Sequence, residues 1–243
     1  MKKLRFIILI LSIFALNSVM SAEKAPVKHN YVYSDTTITE FDKISIVNGI
    51  NIVYTQSESQ SGKVRIYAPE GNDIISLTSK NGLLSVKYGK GYRRDFGVII
   101  VYVYSKELNK VMCSVGANFK AEGLVSGKTL TLKVAHQSQI RMNNLVYDEV
   151  KAKRGIGFGD IILSGEVKKA SYSIIGRGEI NAENLVADDV NCKIFGLGDI
   201  GCHVNKEISV RRLGRGAAYC KGDLKISGKN KSIREMPSNG KLQ

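Results

Sequence analysis

Gly157-Phe158-Gly159-Asp160-Ile161, Gly176-Arg177-Gly178-Glu179-Ile180 and Gly196-Leu197-Gly198-Asp199-Ile200 are three copies of one phrase, with a degraded fourth at Gly214-Arg215-Gly216-Ala217-Ala218. The second glycines, at 159, 178, 198 and 216, lie 19, 20 and 18 residues apart. A second phrase keeps the same beat. Asn144-Leu145-Val146-Tyr147-Asp148-Glu149-Val150 returns 40 residues later as Asn184-Leu185-Val186-Ala187-Asp188-Asp189-Val190. Self-similarity near this period, without helical heptads, marks a stacked β-solenoid. The fold expected is all-β, a right-handed parallel β-helix-like solenoid with ~20-residue rungs, preceded by a strand-rich N-terminal layer.

Setting Ala117, Ser138, Gly159, Gly178, Gly198 and Gly216 as equivalent aligns the rungs. Two positions on stand Phe119, Ile140, Ile161, Ile180, Ile200 and Ala218; four positions on stand Ala121, Met142, Leu163, Ala182, Cys202 and Cys220. Both columns are apolar or small and are expected to face inward, because alternate residues of a strand share a face. Burying each Ile or Leu contributes about 1.5–3 kcal/mol, and only a stacked neighbour can bury it. One position on stand Asn118, Gln139, Asp160, Glu179, Asp199 and Ala217, a column expected to face water. Paired glycines suit a corner where φ is positive and adjacent rungs approach closely. Gly155-Ile156-Gly157-Phe158-Gly159 leads into a strand-like run rather than a helix, which argues against a phosphate loop.

The N-terminal half reads as short strands. Ile44 to Val47 and Ile50 to Tyr54 flank Asn48-Gly49, and Ile74 to Leu77 and Leu83 to Tyr88 flank Asn81-Gly82. Both dipeptides are hairpin signals. Gly89 to Gly97 is a basic loop, and Val98 to Tyr104 is a β-branched and tyrosine run expected as a central strand.

The chain opens like an export signal. Lys2, Lys3 and Arg5 precede an apolar run from Leu4 to Leu16, and Ser18, Ser21 and Ala22 close it. The expected division is a signal peptide over 1–22, a linker over 23–37, one solenoid domain over 38–228 and a basic tail over 229–243. No other segment is apolar enough to cross a membrane as a helix, so the product is expected to be periplasmic, cell-surface or secreted. Lys and Arg number 36 against 22 Asp and Glu, a formal charge of +14. Ten of those cations and only three acids fall in the last 43 residues. A basic end attracts anionic polymers, and export argues against nucleic acid.

Candidate chemistry is sparse. Asp160, Glu179 and Asp199 would stack about 4.8 Å apart, and like charges that close need compensation. Arg177 and Arg215, close to that column in sequence, could supply it; so could a cation, and a paired-carboxylate glycan-cleaving site is the enzymatic alternative. Lys90, Arg93, Arg94, Arg211 and Arg212 are candidate contacts for an anionic partner. Tyr88, Tyr92, Tyr102 and Tyr104 near the basic loop are residue types that stack on sugars. His29, His136 and His203 form neither a zinc motif nor a nucleophile elbow, and no cofactor is implied. Cys202 and Cys220 share an inward column, a spacing that a disulfide or two buried free thiols would both satisfy.

The run from Phe41-Asp42-Lys43-Ile44-Ser45-Ile46 through Asn48-Gly49-Ile50-Asn51-Ile52 to Gln56 resembles the opening of the putative auto-transporter adhesin head GIN domain family. Asn81-Gly82-Leu83-Leu84-Ser85-Val86, the strand near Val98 to Val103, Val115-Gly116-Ala117 and the glycine rungs resemble it in the same order. The resemblance spans roughly 38–228 and implies an exported all-β protein of the bacterial envelope, with no known enzyme activity and no established site residues to carry over. The function expected is non-enzymatic adhesion or scaffolding on a surface polysaccharide or envelope protein. The alternatives are a glycan-active enzyme using the carboxylate column, and a protein that binds anionic lipid or glycan through its basic end.

Overall fold

The computed structural model describes residues 29–222 and 232–236; the expected signal segment and most of the expected basic tail lie outside them. In chain order the strands are β1 (Tyr31–Thr37), β2 (Lys43–Val47), β3 (Asn51–Gln56), β4 (Lys63–Pro69), β5 (Ile75–Lys80), β6 (Leu83–Tyr88), β7 (Ile100–Ser105) and β8 (Lys110–Ser114). Then follow β9 (Asn118–Glu122), β10 (Val125–Val134), β11 (Gln139–Arg154), β12 (Asp160–Gly176), β13 (Glu179–Gly196), β14 (Asp199–Gly214), β15 (Ala218–Lys221) and β16 (Ile233–Glu235). No helix occurs among the described residues.

The strands wind into a β-solenoid with two long faces. On the first face the parallel order is β6, β2, β8, β10, then the second halves of β11 to β14. On the second face it is β7, β3, β9, then the first halves of β11 to β14, then β15 and β16. A short third side pairs Val125, Leu145, Gly165 and Leu185. The strand-rich N-terminal layer is continuous with this coil. Its rungs are stacked out of chain order, for β2 and β3 lie between the β6–β7 rung and the β8–β9 rung.

The column alignment holds. Asn118, Gln139, Asp160, Glu179 and Asp199 are successive register partners, and Ile140, Ile161, Ile180 and Ile200 stack next to them with no exposed surface. On the first face Leu132, Ala152, Tyr172 and Cys192 form a matching inward column. Side chains from both faces therefore meet in one core that runs the length of the coil.

Three expectations are corrected. Asn48-Gly49 is a turn, with φ of 65° and 28°, but not a hairpin: β2 and β3 lie on different faces and each pairs with other strands. Burial decides this, because the alternating faces of both strands are apolar and need parallel neighbours on each side. Asn81-Gly82 does close a hairpin, β5 with β6. Second, residues 31–37, expected within a linker, form β1. Antiparallel to β4, it is fastened by Asp35 to Arg65 at 2.7 Å and by the Tyr33 and Tyr67 rings at 4.8 Å. Third, residues 233–235 of the expected tail form β16 in register with β15, which extends the stack by one strand. Strands β4 and β1 on one face and β5 on the other run antiparallel, so they close the end of the coil that β6 and β7 begin.

Candidate functional site

The outward columns are where chemistry could occur, and register decides which residues share one. Asp160, Glu179 and Asp199 are neighbours on adjacent strands of the second face. The column continues as amides, with Gln139, Asn118 and Asn51, and Asn118 Nδ2 donates to Asn51 Oδ1 at 3.0 Å. Burial pushes the Glu179 carboxyl up, Asp160 beside it adds to the effect, and a hydrogen bond from Asn181 opposes it. Asp199 is also raised by burial, against the pull of the Ala217 N–H, which donates to its Oδ1 at 2.7 Å, and of Arg234.

Arg177 and Arg215 do not supply the compensation. Both are exposed and form no ion pair with the column among the described residues. Near Asp160 stands instead Arg154, which sequence reasoning missed. It occupies the inward first-face column of Val134, Ile174 and Ile194, and is only 2% exposed. Its guanidinium donates to the carbonyls of Gly157, of Gly159 at 3.1 Å and of Ile175 at 3.0 Å. Burial lowers its pKa and the nearby Asp160 holds it up. A Cβ at Gly178, where φ is +114°, would land on that guanidinium, which is why this corner takes glycine. The signal was present as a charged residue in an apolar column, five positions before Gly159.

Arg212 repeats the arrangement one end further on. It follows Ile194 in the same column, is half-buried, and donates to Gly216 O at 3.4 Å. Arg211 is exposed and follows Lys133, Lys153, Ser173 and Lys193 in an outward column. Lys90, Arg93 and Arg94 lie in the loop between β6 and β7, about 34 Å away at seven strand spacings. The two basic groups are thus at opposite ends of the coil. Arg93 is paired with Asp95 at 2.8 Å, while Lys90 and Arg94 are exposed.

The tyrosines also divide. Tyr88 and Tyr92 stack on each other at 3.5 Å, with Phe96 edge-on to Tyr92, and burial lifts the Tyr88 hydroxyl to about 12. Tyr104 lines a different depression with Asp35, Lys63 and Arg65 on the capping strands. Cys202 and Cys220 are register partners and free thiols, with their sulfurs 3.4 Å apart. The Cys202 thiol is held well above its ordinary range, first by its hydrogen bond to Cys192 and then by burial. Among the described residues no group of three or more His, Cys, Asp or Glu side chains converges to hold a metal ion, and no helix is long and apolar enough to cross a membrane.

A second outward feature is polar and concave. Glu149, Lys169, Asp189 and Glu207 form one first-face column, and Lys151, Ser171, Asn191 and Ser209 form the next. Between them runs a shallow depression of ≈ 300 Å³. Its walls alternate hydroxyl, amide, carboxylate and ammonium groups at one strand spacing.

None of the curated proteins matches the chain. Among solved structures it is similar to a putative adhesin from Bacteroides fragilis NCTC 9343, at 25% identity and a TM-score of 0.71, over 86% of this chain and 93% of that one. A putative adhesin from Parabacteroides merdae ATCC 43184 is also 25% identical, with a TM-score of 0.57 over 80% and 98% of the two chains. One from Parabacteroides distasonis ATCC 8503, at 19% identity and a TM-score of 0.57 over 80% and 97%, shares the fold. The family model described as putative auto-transporter adhesin, head GIN domain, matches residues 40–223, and the chain belongs to that family.

Proposed function

We propose that the chain is an exported, non-enzymatic envelope protein that adheres to a surface polysaccharide. The observation that carries this reading is the polar depression on the first face. Ser171, Asn191 and Ser209 offer hydroxyl and amide groups beside Asp189, Glu207 and Lys169, in register on a rigid sheet. Hydroxyl-rich ligands are held by such paired donors and acceptors, and a repeated straight surface suits a polymer. Family membership and the adhesin neighbours support the same reading. The export signal at the start of the chain fits a ligand outside the cell.

Catalysis is the weaker reading. The carboxylate column lies on the other long face, Asp160 has the buried Arg154 nearby, and Asp199 accepts from a backbone N–H. The column reads as part of the corner's own structure.

The test is binding of the purified protein to a panel of neutral and acidic glycans, alongside a variant carrying Asp189→Ala and Asn191→Ala. Selective binding that falls about tenfold or more in the variant is expected, since each hydrogen bond to a charged or amide group contributes roughly a factor of ten. Binding that ignores the variant, or no binding to any glycan, overturns the assignment.

A further inference from the structure

Every rung passes from the first face to the second around one edge of the coil. The edge comprises residues 48–50, 89–99, 115–117, 135–138, 155–159, 175–178, 195–198 and 213–217. Among the described residues twelve large hydrophobic side chains are exposed, and eight of them lie on this edge: Val98, Val115, Ile156, Phe158, Ile175, Phe195, Leu197 and Leu213. Ile156, Phe158 and Leu213 are 72%, 61% and 71% exposed. Ile175, Phe195 and Leu213 are direct register partners, so they form a continuous apolar ridge. Scattered exposed apolar residues need no explanation, but a contiguous row does. At Val115 the β-branched side chain is exposed with φ at +59°, a conformation that costs backbone energy.

The charge on this edge is one-sided. It holds Lys90, Arg93, Arg94, Arg177 and Arg215 against a single acid, Asp95, which is paired with Arg93. Five cations that the sequence left scattered are therefore brought onto one line. The first-face column beside it adds Lys133, Lys153, Lys193 and Arg211, all exposed and without ion pairs among the described residues. The carboxylate column of Asp160, Glu179 and Asp199 flanks the opposite side, so contact would lean toward the first face.

We infer that this edge docks on an anionic lipid bilayer, with Ile156, Phe158, Ile175, Phe195, Leu197 and Leu213 entering the headgroup boundary and the flanking cations meeting lipid phosphates. The two chemistries together select the occupant. An acidic polysaccharide would satisfy the cations and leave aliphatic side chains against hydrated sugar. A second copy of the chain would bring arginine rows against each other. A bilayer interface accepts a narrow convex ridge and offers apolar depth and negative charge at once. Lys and Arg beside the ridge can keep their charge in the headgroups while their stems lie along it. The inference goes beyond the glycan reading and stands or falls separately, because the polar depression is not used.

The chain contains no tryptophan, so Phe158→Trp places a single reporter on the ridge and Leu124→Trp, on a different turn, serves as its control. Protein lacking residues 1–22, whose apolar run would itself bind lipid, is mixed with vesicles of phosphatidylglycerol and phosphatidylcholine at roughly one to three. The expected result is co-sedimentation that weakens with salt, with a blue shift of emission in Phe158→Trp and none in Leu124→Trp. The triple variant Ile156→Ser, Phe158→Ser, Leu213→Ser should bind about tenfold less or worse and, being exposed at all three positions, keep the parent melting temperature. A triple variant that melts early is replaced by the reporter pair, which needs no loss of packing. No vesicle binding, or binding without the shift at Phe158→Trp, overturns the inference. Concentration-dependent dimerisation abolished by the triple variant, without vesicle binding, would make a second copy the occupant and also overturn it.

Discussion

Asn48-Gly49 and Asn81-Gly82 are the same dipeptide with left-handed backbone at all four residues, yet one turns a solenoid corner and the other closes a hairpin. The strands around the first go to different faces, each between two parallel neighbours. At the second, β5 folds back on β6 and has no other strand partner among the described residues. The dipeptide fixes a reversal of direction. Which strand receives the returning chain depends on where apolar surface is waiting, and β3 buries Ile52 and Tyr54 completely while β5 stays half-exposed. Turn chemistry is local and pairing is not.

That contrast can be broken most severely at the buried side. Ile52→Asp places an unpaired charge between β7 and β9 and is expected to cost about 4 kcal/mol or more, whereas Leu77→Asp on β5 should cost roughly 1–2 kcal/mol. Urea melts of the two variants measure the difference, and equal losses would mean that β5 is as integral to the core as β3. A second variant sharpens the comparison within the repeat itself. Arg154 holds its corner through three carbonyls, whereas Ile174 and Ile194 in the same column use packing alone. Arg154→Met should therefore cost about 2–4 kcal/mol and Ile174→Met less than about 1.5 kcal/mol. The same melts rank them.

The smallest effect belongs to the carboxylate column. The folded pKa of Glu179 is raised by burial and by Asp160, so folding favours its protonated form. Its favourable contribution is complete below the unfolded carboxylate value, near ~4.3, and is lost as pH rises through the folded value. Glu179→Gln is expected to melt roughly a degree or two higher than the parent at neutral pH, with the gap closing in acid. A gap that persists unchanged below pH ~4 would show that the charge is not its source.

Much of the coil was legible because a solenoid repeats its physics. Each rung buries the same two inward positions, so Ile161, Ile180 and Ile200 announced their column in sequence, and the family resemblance rested on the same landmarks. The basic and aromatic candidates were less legible. Lys90 and Arg94 lie more than 80 residues from Arg177, and nothing local says that the loop after β6 and the later glycine corners share one edge. Arg154 was hidden for a related reason. A longer corner shifts it out of the simple period, and only the fold shows three carbonyls waiting beneath it.

The sequence by itself determined the all-β class, the rung length and the inward columns, because strand alternation and a fixed period are local properties that each rung states again. Only the tertiary structure decided the stacking order of the first rungs, the partner of each Asn-Gly turn, and the assembly of an arginine-bearing apolar edge. Those depend on which surfaces meet across long stretches of chain, and the free energy of that meeting is held by the pair, not by either segment alone.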